Sequence, residues 1–154
     1  MSMYVATVSW DRGHQQFTDN TYSRGHTWTF DGGLSVPASS SPDVVPLPFS
    51  IAENVDPEEA FVASISSCHM LFFLSLAAAR SVVVDHYVDH ASGLMEKRPD
   101  GKTAITKVIL RPDAQYSGDN IPNSQQIEML HHRAHEMCFI ANSVTAEIIT
   151  EVVA

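Results

Sequence analysis

The densest apolar run in the chain lies between Asp56 and Ala79, where Phe61, Val62, Ile65, Met70, Leu71, Phe72, Phe73, Leu74 and Leu76 leave no clear polar face. Asp56 can cap a helix, Pro57 suits the first helical position, and Glu58 and Glu59 favour its positive end. A helix apolar all round belongs inside a fold, so the run predicts a long buried central helix. Ahead of it, residues 3–10 alternate as a strand does. Tyr22, Arg24, His26, Trp28 and Phe30 share one parity, hence one face of a second strand. Asp31, Gly32 and Gly33 turn that strand into residues 34–36, which completes a small N-terminal antiparallel sheet. Residues 37–50 carry four prolines and four serines and read as extended and irregular.

Beyond the helix, residues 82–88 return to strand chemistry. A β-hairpin follows over 91–96 and 103–110, turning at Pro99, Asp100, Gly101 and Lys102. Arg111 and Pro112 end it, and residues 118–123 form a loop. A second helix starts near Asn123 or Ser124 and carries Ile127, Leu130, Ala134 and Cys138 at spacings of three and four, which puts Cys138 on its core-facing stripe. Asn142 ends it, and residues 144–153 form a C-terminal strand. Strands, helix, hairpin, helix and strand in that order give an α+β class, and residues 1–154 read as a single domain.

Composition narrows the function. A net charge of -9 with only 9 Lys and Arg, scattered along the chain, argues against a nucleic-acid or anionic-membrane surface. The N-terminal residues lack a basic segment followed by an apolar run, so no secretory signal is expected and the protein is read as cytoplasmic. In that compartment its two cysteines, Cys68 and Cys138, are reduced thiols, either chemically active or packed as small hydrophobes.

A thiol reacts as the thiolate, so Cys68 needs a neighbour that favours the anion. Negative Glu58 and Glu59 act the other way. A guanidinium hydrogen-bonded to sulfur supplies the stabilisation, and a buried guanidinium in turn asks for a carboxylate. The chemistry therefore calls for Cys, Arg and Glu together, and for a second Cys that regenerates the first through a disulfide.

Three motifs carry a resemblance. Asp56-Pro-Glu58-Glu precedes Cys68 by ten residues within Ser-Ser-Cys68-His-Met. Ala-His135-Glu-Met-Cys138-Phe-Ile-Ala-Asn-Ser lies seventy residues beyond that cysteine, and Tyr-Ser-Arg24-Gly-His-Thr-Trp lies near the start. Together the chain resembles the OsmC/Ohr family of hydroperoxide reductases over essentially its whole length. The resemblance implies an OsmC-like fold in an intertwined, obligate homodimer whose active sites are shared between subunits. Cys68 would be the peroxidatic thiol and Cys138 the resolving thiol. Glu58 matches the carboxylate that orients the family's Arg, for which Arg24 is the choice and Arg12 the competitor. It further implies reduction of organic hydroperoxides at the expense of a thiol reductant, in oxidative or osmotic stress defence, with no cofactor. Phe139 stands where the family commonly has Pro, and His69 where an apolar or aromatic residue is usual.

Ten residues of straight helix separate Glu58 from Cys68 by about 15 Å of axis, so a break or bend is expected at residues 64–67. Two other readings compete. His131, His135 and Cys138 are spaced to share a helix face and could bind zinc, which would make this a metal-binding protein. Alternatively the chain is a catalytically silent dimer that holds an apolar ligand, its cysteines merely packed.

Overall fold

The computed structural model describes residues 1–153. The chain divides into two compact units, Met1–Ala60 and Phe61–Ala154.

In the first unit, β1 (Ala6–Ser9), β2 (His26–Phe30) and β3 (Ser35–Ala38) form an antiparallel sheet in that order. The β2–β3 turn is built as its glycines require: Gly33 sits at φ 90, and the Phe30 amide donates to the Leu34 carbonyl. The second strand is shorter than the alternation of Tyr22 to Phe30 predicts. Asn20 adopts φ 66, and the Arg24 amide is taken by the Phe49 carbonyl, so Tyr22 and Arg24 lie in a loop ahead of the sheet. The proline-rich segment is irregular as expected. One parallel bridge, Ala38 to Val55, ties its end to β3.

The central helix α1 runs from Pro57 to Ala79. Asp56 caps it, its Oδ1 accepting from the Glu59 amide at 2.8 Å. The expected break at residues 64–67 is absent. Ser64 bonds back to the Phe61 carbonyl at 2.8 Å, which satisfies the hydroxyl without opening the turn. Nor is the helix buried on every side. Only Ile65, His69, Phe73 and Ala77, a ladder at spacing four, are buried within the chain, while Leu71 stays 59% exposed.

In the second unit, β4 (Val83–Asp89) pairs antiparallel with β7 (Pro112–Ser117). Next to them, β5 (Ser92–Lys97) and β6 (Thr103–Leu110) make the predicted hairpin, and β8 (Glu147–Thr150) joins β6 in parallel. The β7 strand was not expected. Its opening proline is tolerated at the first position of a strand, and Asp113, Ala114 and Gln115 carry little strand signal. The second helix, α2 (Ser124–Met137), begins with a complete capping box between Asn123 and Gln126. A 3-10 turn, η1 (Ala141–Ser143), follows it.

The core of this unit has two parts. Phe73, Ala77, Val82, Ala114, Leu130 and Ala134 join α1 to β4, β7 and α2. Ile65, Val108 and Leu110 join α1 to β6. Asp89 fastens the same helix to the strands: its carboxylate accepts from Ser66 Oγ at 2.5 Å and from the Arg111 amide at 2.6 Å.

Candidate active site

The two thiols meet in the second unit. Cys68 sits half-buried in the middle of α1, one position before the buried ladder residue His69. Cys138 occupies the C-cap of α2 rather than its helical stripe, with φ -64 and ψ 112, and is 0% exposed. The helix stops there because the Cys138 amide bonds to the His135 carbonyl at 3.3 Å. The Cys138 carbonyl accepts from the Asn142 amide at 3.0 Å, which starts the next turn.

Cys68 lies near enough to Cys138 to perturb its thiol. Burial pushes the Cys138 thiol above its ordinary pKa and the neighbouring Cys68 adds to the rise, while the Ala141 amide, 3.4 Å from Sγ, opposes it. Both cysteines are free. Beside them the Phe72 and Phe139 rings pack edge-on with centroids 5.0 Å apart, an apolar wall between the body of α1 and the end of α2. Phe139 is 70% exposed.

One turn along, the interior holds two histidines that the sequence reading did not single out as a pair. His69 Nε2 and His131 Nδ1 are 3.0 Å apart, with the rings stacked and centroids 5.3 Å apart. His131 also stacks on Phe73 at 4.2 Å. The two residues are 1% and 3% exposed. Burial drives both imidazoles toward the neutral form. His69 falls to about 4, with His135 adding to the fall and Asp89 opposing it; His131 falls to about 3, with His69 adding. The outer nitrogens, Nδ1 of His69 and Nε2 of His131, are buried without a hydrogen-bond partner. The sequence signals the burial of each ring but not their pairing: His69 sits at spacing four between Ile65 and Phe73, and His131 follows the core residue Leu130.

The metal-binding arrangement is not assembled. Among the described residues no three His, Cys, Asp or Glu side chains gather as a metal site. His131 is committed to His69, Cys138 lies off the helix end, and His132 faces Glu136 at 3.2 Å. His131, His132, His135 and Glu128 instead line a groove of about 380 Å³.

The remaining candidates lie in the first unit. Arg24 lays its guanidinium over the Tyr22 ring, 3.7 Å from the centroid, and donates to the carbonyls of Asn20 and Tyr22 and to Asn20 Oδ1. Trp10, Phe17 and Tyr22 pack on one another and, with Arg24 and His26, line a cavity of about 450 Å³. His26 is fixed from both sides, its Nδ1 donating to the Arg24 carbonyl and its Nε2 accepting from the Trp28 indole. Glu58 is not the partner of Arg24 here; its Oε2 is buried with no hydrogen bond. Because α1 is unbroken, the ten residues from Glu58 to Cys68 span about 15 Å of helix axis. Arg12, the competing arginine, is exposed, and its carbonyl caps a turn by accepting from Gln15.

Residues 52–153 match the family model described as OsmC-like protein. The chain is 56% identical to an OsmC-like protein of unknown function from Vibrio cholerae, covering 99% of this chain and 100% of that one at a TM-score of 0.98. An organic hydroperoxide resistance protein OsmC from Legionella pneumophila shares the fold at 15% identity and TM-score 0.69, over 100% and 98% of the two chains. A putative organic hydroperoxide resistance protein from Vibrio cholerae, with captopril bound in one active site, does so at 18% identity and TM-score 0.68, over 99% and 92%. No curated protein matches the chain. With two-thirds of its length in the family model and a close relative along its whole length, the chain belongs to the OsmC-like family.

Proposed function

We propose that the chain is a cysteine-based hydroperoxide reductase that works as a cytoplasmic homodimer in oxidative or osmotic stress defence, its two compact units forming one OsmC-like domain. The observation that carries this reading is the nearness of Cys68 to a buried Cys138 across seventy residues of sequence, close enough to raise the Cys138 pKa. In the first step the Cys68 thiolate attacks the outer peroxide oxygen. The O–O bond breaks, the substrate leaves as an alcohol after gaining a proton, and the sulfur is oxidised to a sulfenic acid. In the second step Cys138 attacks that sulfur; an S–S bond forms, the S–O bond breaks, and the oxygen leaves as water. A dithiol reductant then reduces the disulfide, becoming a disulfide itself.

The half-exposed thiol at the outer end of the pair suits it to meet the peroxide, and the protected one suits it to resolve. Arg24 is the proposed cation for the thiolate, supplied through the homodimer, with Arg12 the competitor. Glu58, whose Oε2 has no partner, is the proposed carboxylate that orients it. Glu58 then acts on the thiol only through the guanidinium. The exposed apolar side chains along α1, Leu71 foremost, give the homodimer a surface to bury. Phe72 and Phe139 beside the thiols favour an organic hydroperoxide over hydrogen peroxide.

The test is turnover of cumene hydroperoxide and hydrogen peroxide with a dithiol reductant. Cys68→Ser should abolish turnover. Cys138→Ser should permit one turnover that stalls at a sulfenic acid trapped by dimedone. A wild-type protein whose thiols survive excess peroxide at pH 7 would refute the reading.

A further inference from the structure

We propose that His69 and His131 are positioning residues: their hydrogen bond sets the register of α2 on α1 and so holds Cys138 near Cys68. The inference rests on the reading of the two thiols as a redox couple, but its geometry is independent of the peroxide. The Nε2–Nδ1 bond of 3.0 Å is the one side-chain hydrogen bond that joins the two helices among the described residues. Around that bond the two helices share apolar packing through Phe73, Ala77, Leu130 and Ala134 and the half-buried residues around them. Apolar contacts hold helices together, yet they are non-directional and tolerate sliding. A directional bond between two buried rings permits one register.

Three observations separate this pair from ordinary core packing. Both rings are almost fully buried, and either tautomeric arrangement leaves one outer N–H and one outer ring nitrogen unpartnered. Two leucines would fill similar volume without that penalty, so the pair is a poor device for stability and a good one for specificity. Its place also fits. His69 follows Cys68 on α1, and His131 lies two turns before Cys138 on α2, so a shift of one ring past the other moves one sulfur past the other. Disulfide formation is sensitive to such a shift, because the bond requires the two Cα atoms within about 7 Å and the side chains converging.

The experiment is an equilibrium that needs no peroxide. Reduced protein is incubated with buffers of reduced and oxidised glutathione. In each reaction the Cys68 and Cys138 thiols yield two electrons and two protons to one glutathione disulfide, releasing two glutathione thiols. The fraction oxidised is read by mass after acid quench and alkylation, and urea unfolding of the reduced proteins reports stability. The double variant His69→Leu/His131→Leu should unfold at the same or higher urea concentration, while its constant for forming the Cys68–Cys138 disulfide falls by about tenfold or more. His69→Gln, whose amide can donate to His131 Nδ1, should stay within about threefold of wild type. A double variant that folds and keeps the wild-type constant overturns the proposal, as does a loss in His69→Gln equal to that in the leucine pair. Absence of peroxide turnover with the shift intact would remove the hydroperoxide reading and leave this one standing.

Discussion

Cys138 neighbours Cys68 closely enough for Cys68 to raise its pKa, yet its own thiol has no exposed surface, so two neighbouring cysteines differ in their access to solvent. Alkylation at pH 7 should therefore discriminate between them. Cys138 carries a raised pKa and no surface, so it should react with iodoacetamide at least about tenfold more slowly than Cys68, and only after urea at a comparable rate. Peptide mass mapping of a time course decides this. Equal labelling of both sites in the folded protein would mean that the end of α2 opens readily.

The buried histidine pair makes stability depend on pH in a stated direction. Both folded-state values, about 4 for His69 and about 3 for His131, lie below the ordinary 6.5, so the unfolded chain binds protons first. The stabilisation from keeping the rings neutral is complete above pH 6.5 and is lost as pH falls toward 4. By pH 5 the loss is on the order of 2 kcal/mol for each ring. Asp89 on β4 moderates the effect at His69 and His135 on α2 enhances it. Urea midpoints at pH 7.5 and pH 5 should show the drop, and His69→Leu/His131→Leu should flatten it. An equal drop in that variant would assign the dependence to carboxylates instead.

Asp89 is a second point of vulnerability. Its carboxylate receives both Ser66 Oγ from α1 and the Arg111 amide at the start of β7, at 2.5 and 2.6 Å. Asp89→Ala leaves two donors without their partner and should cost about 2–4 kcal/mol, whereas Ser66→Ala, which removes one partner, should cost about 1–2 kcal/mol. Unfolding curves at pH 7 measure both. A loss in Asp89→Ala no larger than in Ser66→Ala would show that the Arg111 bond carries no weight.

Gly93 shows how closely β5 approaches the helix. A Cβ placed there would stand 2.7 Å from Val62 Cγ2 and 3.3 Å from Ile105 Cγ2. Both neighbours are β-branched and short of freedom to move aside. Gly93→Ala should destabilise by about 1–3 kcal/mol through overpacking, although alanine is otherwise no worse in a strand. A variant with an unchanged urea midpoint would mean that β5 shifts outward at no cost.

Much of this architecture was legible in the chain because short-range chemistry dictated it. Asp56 and Pro57 marked the start of α1, Asn123 that of α2, and Gly33 and Gly101 the two hairpin turns, each through a local preference. β7 was hidden because Pro112 and Asp113 read as a terminator, and only its partner β4 makes the segment a strand. The burial of α1 is shared out differently from its composition. Its composition is apolar all round, but a single chain supplies packing for one stripe. In the candidate site, motif spacing brought out Cys68 and Cys138, whereas the His69–His131 bond depends on a contact sixty-two residues apart that no local pattern announces. Arg24 was placed on a strand by parity, yet the positive φ of Asn20 sets it in a loop on Tyr22.

The seventy-residue interval between the two thiols also has a meaning in time. A ribosome adding about 5–20 residues per second leaves Cys68 without its partner for roughly 4 to 14 seconds. Cys138 is then held in place by the segment that follows it, since β8 pairs with a strand made forty residues earlier. In the proposed cycle, a nascent chain exposed to oxidant during that interval carries a Cys68 sulfur whose sulfenic acid Cys138 is not yet there to resolve. On that reading, newly made molecules are more vulnerable to irreversible sulfur oxidation than finished ones, and the pool still being synthesised is the first to be lost under oxidant.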